Sequence, residues 1–244
     1  MSEIVNLPNV SKKIHGFYSE IGNELRQSRR FSLSDNLQRA VNFFVDYHVR
    51  RNVNFFEKDD VFYRARINDI EQLEPYGIEK MKAPPIGLAG SGRINPEGIP
   101  YLYLADTVET AIAEVRPWRD ALVSVAKFQL SADVKIIDFC SDSGVDNNVK
   151  DFDGFCREFG SLINSSTIRK LYFSTPVHGN DRFAYLPSQY ISEIFKNLGF
   201  DGIRYGSVLC PGGINLALFN TCAAYGLEVS QYRVDSVVYS STKS

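Results

Sequence analysis

The residues whose types and spacing suit chemistry gather in one stretch, residues 90–118 (GSGRINPEGIPYLYLADTVETAIAEVRPW), which delivers Arg93, Tyr103 and Glu114 in succession. An arginine offers a planar fork of donors to a phosphate or carboxylate, and a tyrosine offers an aromatic face. A glutamate supplies a carboxylate able to stabilise developing positive charge. Two more groups lie outside this stretch. Residues 60–67, DVFYRARI, read as a strand that puts Phe62, Arg64 and Arg66 on one face. That face is either an edge whose arginine heads reach water or an anion clamp. Ser207 stands near a turn, where a serine is first of all a turn residue, and no His/Asp pair is spaced to make it a nucleophile.

The elements that must position these groups are legible around them. Gly90, Gly92 and Gly98 with Pro96 form a loop that lets a ligand approach the main chain. Residues 99–105 read as a strand. Asp106 with Glu109 resembles a capping box opening a helix that must stop before Pro117. Val108, Ala111, Ile112 and Val115 recur at helical spacing as its buried stripe. Glu114 falls about 60° from Ala111, on the flank of that stripe. Its carboxylate either meets the edge of the core or lies on a solvated flank, bridged to Arg116 or Arg119.

Further out, Ile14, Phe17, Tyr18, Ile21 and Leu25 fit one amphipathic helix. Leu37, Val41, Phe44, Val45 and His48 fit a second, capped by Ser32 or Ser34 and running to about Arg51. His48 has no partner at helical spacing and reads as a core histidine. The two helices suggest an N-terminal helical extension over residues 1–57, ahead of a main domain over 58–228 and a tail over 229–244 that frays or pairs at an edge. Residues 71–89 suggest a surface loop over the site. Residues 122–130 and 134–139 suggest a hairpin. A polar loop is expected over 141–148, a helix over 149–163 and a mobile loop over 173–182. Pro187 and Gly199 bracket a helix with Ile191, Ile194, Phe195 and Leu198 buried, followed by a hairpin of strands 201–208 and 214–220.

With 244 residues, 44% of them hydrophobic, the chain can bury a full core. Its 27 basic and 29 acidic residues nearly cancel, so direct nucleic-acid binding is not expected. No apolar run approaches the roughly 20 residues that span a bilayer, and the first residues lack a signal peptide's apolar core; a cytoplasmic location follows as the expectation. Cys140, Cys156, Cys210 and Cys222 form no CxxC pair, and His15, His48 and His178 stand far apart, so no metal is expected.

Three blocks, YRAR, then GRINPEGIPYLYLADTVETAIAEVR, then YLPSQYISEIFKNLGFDGIRYGSVLCPGGINLALF, together resemble the RES domain, named for its Arg, Glu and Ser signature residues. The resemblance covers residues 61–219. It places the family's Arg on Arg64, with Arg66 competing, its Tyr on Tyr103, with Tyr101 competing, its Glu on Glu114 and its Ser on Ser207. It implies an α+β fold of ADP-ribosyltransferase type, with a split, mainly antiparallel β core and helices around a cleft. It also implies NAD as substrate, and a bacterial toxin with a helix-turn-helix antitoxin of the Xre type as partner. On that reading Glu114 stabilises charge on the ribose or orients its hydroxyls, Arg64 clamps the pyrophosphate with help from Arg93, Tyr103 stacks on the nicotinamide, and Ser207 positions Arg64, Glu114 or the substrate. The leading expectation is an NAD glycohydrolase releasing nicotinamide and ADP-ribose. Transfer of ADP-ribose to a protein, and a catalytically silent NAD-binding or regulatory module, are the alternatives. Residues 1–57 exceed the compact family pattern.

Overall fold

The computed structural model describes residues 7–140 and 183–238, with side chains from Gly16 onward in the first helix. Two helices open the chain, α1 (Leu7–Gln27) and α2 (Asp35–Arg51), followed by strands β1 (Val53–Phe56) and β2 (Val61–Ile67). A 3-10 turn, Ile78–Met81, precedes β3 (Leu102–Ala105), α3 (Val108–Glu114), β4 (Leu122–Leu130) and β5 (Val134–Asp138). Helix α4 (Leu186–Asn197) then leads into β6 (Gly202–Gly206), β7 (Ile214–Leu218) and β8 (Ala224–Arg233). The expectations for residues 141–148, 149–163 and 173–182 lie outside the described residues.

The strands form one sheet in the order β1-β5-β6-β7-β3-β2-β4-β8, antiparallel throughout except for the β5/β6 pair. Its centre is split. Strands β2 and β3 meet at a single paired position, Tyr63 with Ala105, whereas β2 pairs with β4 from Val61 to Ile67 and β3 pairs with β7 from Leu102 to Ala105. Beyond that one position the two halves diverge and leave a cleft. The α+β, mainly antiparallel architecture is the one the sequence led us to expect.

Alternation along the strands feeds two cores. Ile137, Ile203, Ala217 and Phe219 face the helices, where Ile21 and Leu25 of α1, Phe44 of α2 and Phe195 of α4 cover them. Ile136, Leu102, Leu104, Leu216 and Leu218 face the opposite way and meet Phe62, Phe128, Leu130 and Met81. The helix stripes explain the cover: Phe17, Ile21 and Leu25 recur along α1, and Val41, Phe44, Val45 and His48 along α2, all buried. Ser34 sits at the N-cap of α2, yet its hydroxyl donates to Glu24 of α1 at 2.8 Å rather than capping the helix, which locks the two helices together. His48 is fully buried against Phe44 and Phe139, so it is a core residue as expected, but it does have a partner at helical spacing: its Nδ1 lies 3.0 Å from Oδ1 of Asn52, four residues on.

Three sequence expectations need correction. Residues 53–56 are not helical extension: Val53, Phe55 and Phe56 have strong strand preference, and β1 joins the sheet edge beside β5. Strands β4 and β5 are not a hairpin, because β4 pairs with β2 and β8 while β5 pairs with β1 and β6. Ile136 and Ile137 are both buried, so β5 needs cover on both faces and takes an interior place in the other half of the sheet. Leu198 is 52% exposed: it is the C-cap, just past the last helical residue, and Gly199 (φ 81°) turns the chain away directly after it. Residues 229–233 pair with β4 as the end of β8, the edge strand, which is one of the two outcomes expected of that segment.

Candidate functional site

The split opens into a cleft of about 320 Å³, within the ordinary range of small-molecule sites. Arg64 reaches it from β2, Gly92 and Arg93 from the loop before β3, and Tyr103 from β3 itself. Glu114 comes from α3, Tyr205 from β6 and Asn215 from β7. Among these described lining residues two guanidinium groups face one carboxylate, a balance that suits an anionic ligand. The segment 71–89, expected over the site, contributes nothing to this lining; it packs its Tyr76 and Met81 on the β2-β4-β8 half instead.

Glu114 owes its place to the brevity of α3. The N-cap is Thr107, whose hydroxyl accepts the Thr110 amide at 3.1 Å; Asp106, expected to cap, accepts the Ile214 amide at 3.1 Å and fastens the helix entry to β7. The helix ends where Arg116 turns left-handed (φ 51°) just ahead of Pro117. A carboxylate in the last turn is disfavoured by the helix dipole, so Glu114 is held there from outside. Ser207 Oγ donates to its Oε1 at 2.7 Å and Asn215 Nδ2 donates to the same oxygen at 2.6 Å. Among the described residues Oε2 makes no hydrogen bond, and neither Arg116 nor Arg119 bridges to this carboxylate.

The direction of the serine bond is fixed. Ser207 Oγ already accepts from the amides of Leu209 at 3.1 Å and Cys210 at 3.0 Å, which leaves its one proton for Glu114. Ser207 is thus a turn residue and a partner of Glu114 at once. Gly213 makes the approach feasible, since a Cβ there would collide with the Thr110 hydroxyl on α3.

Arg64 and Arg66 part company. Where β2 and β3 diverge, the Tyr103 carbonyl accepts from Arg64 Nη1 at 3.0 Å, and the guanidinium stays at the cleft. Burial pulls the Arg64 pKa below its ordinary value and the charge of Arg66 adds to this, against the opposing influence of Tyr103. Arg66 swings away to the Lys80 carbonyl at 3.1 Å and lies over the Tyr76 ring at 4.8 Å. Alternation alone could not separate them, because both share one face of β2.

Tyr103 and Tyr101 separate too. The Tyr103 hydroxyl accepts from the amides of Ile94 and Asn95, each at 3.2 Å, and donates to Asn95 Oδ1 at 2.7 Å. Burial pushes its pKa up to about 12, against the pull of those amides and of Arg93 and Arg64. Tyr101 is buried outside the cleft, bonded to Glu193 at 2.5 Å with its ring 5.0 Å from that of Phe219. Arg93 lines the cleft with its guanidinium 5.7 Å from the centre of the Tyr185 ring.

The structure therefore brings Arg64, Arg93, Tyr103 and Glu114 to one cleft, with Ser207 bonded to the last. Sequence reasoning missed Asn215 and Asn95. The signal for Asn215 was present as an amide inside the apolar run INLALF, and it is 5% exposed. Asn95 is buried at 3% exposure within a loop, where its neighbours give no pattern. Among the described residues no group of three or more His, Cys, Asp or Glu is placed to hold a metal ion, and no helix is long and apolar enough to cross a membrane.

The family model of the RES domain matches residues 66–237. That span holds Tyr103, Glu114, Ser207 and Asn215 and begins just after Arg64. No curated protein matches the chain in sequence. Among solved structures, the M. tuberculosis MbcT–MbcA toxin–antitoxin complex matches over 79% of this chain and 92% of that one, with 15% identity and a TM-score of 0.40.

Proposed function

The chain belongs to the RES domain family, and on that premise we propose that it is an NAD glycohydrolase, hydrolysing NAD to nicotinamide and ADP-ribose. The observation that carries this reading is the Glu114 carboxylate, pinned through Oε1 by Ser207 and Asn215 at the mouth of a cleft that also presents Arg64 and Arg93.

The chemistry follows from those groups. The bond between the ribose C1′ and the nicotinamide nitrogen breaks heterolytically, and its electron pair neutralises the pyridinium, so the leaving group needs no acid. Positive charge develops on the sugar, as in glycoside hydrolysis. Glu114 Oε2 faces that charge, and its electrostatic stabilisation is the largest contribution asked of the protein. Water then forms the new bond to C1′ and releases its proton to solvent, so that one proton is produced for each NAD hydrolysed. Arg64 and Arg93 bind the pyrophosphate, where a planar guanidinium matches the phosphate oxygens. Tyr103 supplies an aromatic wall for the nicotinamide end. Ser207 and Asn215 are positioning residues.

Transfer of ADP-ribose to a protein would use the same bond cleavage with another acceptor, and a silent module would leave NAD intact. The open cleft argues against the silent reading, since none of the described side chains fills it. On the family reading we assign the protein a toxin's role in the cytoplasm, an Xre-type antitoxin as partner, and residues 58–228 as the catalytic unit.

The test is turnover of NAD by the wild type beside Glu114→Gln. The expected result is a loss of about 100-fold or more in the variant, the scale for removing an electrostatic stabiliser, with the fold and NAD binding kept. Wild-type turnover by Glu114→Gln would overturn the assignment.

A further inference from the structure

The arginine side of the cleft depends on a residue that does not line it. Gln189, in the first turn of α4, is 6% exposed, and its Nε2 lies 2.9 Å from Ser91 Oγ, 2.7 Å from the Gly92 carbonyl and 3.0 Å from the Asn95 carbonyl. These three acceptors bracket Arg93. Next to Gln189, the fully buried Ser188 donates through Oγ to the Arg93 carbonyl itself at 2.6 Å.

The loop is gathered from within as well. Asn95 Nδ2 reaches the carbonyls of Gly90 at 2.9 Å, Pro96 at 3.1 Å and Ile99 at 3.0 Å, while its Oδ1 takes the Tyr103 hydroxyl. Within the loop the backbone supplies turn bonds, from the Gly92 amide to the Asn95 carbonyl at 3.0 Å and from the Ile99 amide to the Pro96 carbonyl at 3.2 Å, and the side-chain amides add to them. One amide from α4 and one from the loop thus reinforce these turns. Gly92 completes the fit, since a Cβ there would collide with Asn95 Oδ1.

We infer that Gln189 is a positioning residue for anion binding: it fixes the loop backbone around Arg93 so that this guanidinium is presented ready-made to a phosphate-bearing ligand. The role needs a donor amide of glutamine's length. A glutamate of the same size would turn a carboxylate toward three acceptors, and a methionine would keep the bulk without the donors.

The ligand in this inference rests on the NAD reading, whereas the latch does not, so two measurements separate them. The first is amide hydrogen exchange over residues 90–99 in the wild type, Gln189→Glu and the milder Gln189→Met. Faster exchange confined to this loop, with β4 and β8 unchanged, is expected; unchanged exchange in the loop would overturn the latch, and so would loss of protection throughout the fold in Gln189→Met.

The second is ADP-ribose binding by titration calorimetry across a double-mutant cycle of Gln189→Met and Arg93→Ala. Each single variant should bind about tenfold more weakly, the scale of one lost charge-assisted hydrogen bond, and the double variant no more weakly than Arg93→Ala alone. Additive losses would show that Gln189 does not act through Arg93 and would overturn the inference. Absence of ADP-ribose binding by the wild type would overturn the NAD reading and the anion-binding role together, while the exchange result still decided the latch.

Discussion

The two flanks of the cleft are built in opposite ways. On one side Glu114 is exposed, held by two neutral donors on a single oxygen, with its second oxygen unbonded among the described residues. On the other side the half-buried Tyr103 and the buried Asn95 and Gln189 form a network in which the Tyr103 hydroxyl makes three bonds. The carboxylate flank keeps capacity in hand for a reacting group, whereas the loop flank spends its capacity on holding a backbone still. Buried polar networks of the second kind cost most when one member is removed, because the partners are left unsatisfied.

That difference orders the expected effects of substitution. The largest on turnover is Glu114→Gln, which steady-state kinetics should show as a fall in kcat with thermal stability unchanged. Next, Tyr103→Phe leaves Asn95 Oδ1 and two amides without their partner and should cost about 1–3 kcal/mol of stability in denaturant unfolding, the reverse of the Glu114 pattern. Ser207→Ala and Asn215→Ala should each lower kcat by about fivefold to tenfold, since each takes one hydrogen bond from an exposed carboxylate; Ser207→Ala also frees the part-buried amides of Leu209 and Cys210, which water can still reach. If either instead destabilised the fold as strongly as Tyr103→Phe, the contrast between the flanks would be lost. Smallest is Arg66→Ala: its guanidinium lies over Tyr76, so NAD affinity should stay unchanged where Arg64→Ala weakens it.

Alkaline pH sharpens the same contrast. Burial raises the phenols of Tyr101, Tyr103 and Tyr205 above their ordinary value of 10, Tyr103 to about 12. The unfolded chain ionises first, so the folded state loses its advantage as pH rises above 10 toward 12. Thermal melts should show that loss, and it should be smaller in Tyr103→Phe.

How much was legible in the sequence depended on whether the cause was local. The stripes of α1 and α2 and the stop before Pro117 follow from periodicity and backbone sterics, and they appear as expected. Strand pairing is a long-range choice, and residues 122–139 read as a hairpin only because nothing local shows that β5 is needed between β1 and β6. At the site, the residue types of Arg64, Arg93, Tyr103 and Glu114 were visible, but their convergence depends on the split between β2 and β3. Asn215 and Gln189 were harder still. An amide among apolar neighbours announces that it needs partners without saying which.

The central claim is tested most directly by product stoichiometry. Purified protein is incubated with NAD, and nicotinamide and ADP-ribose are quantified together by chromatography. The expected result is equal amounts of both, in step with NAD consumed, and neither from Glu114→Gln. Nicotinamide released without free ADP-ribose, or NAD left intact by the wild type, would contradict hydrolysis as the function of this cleft.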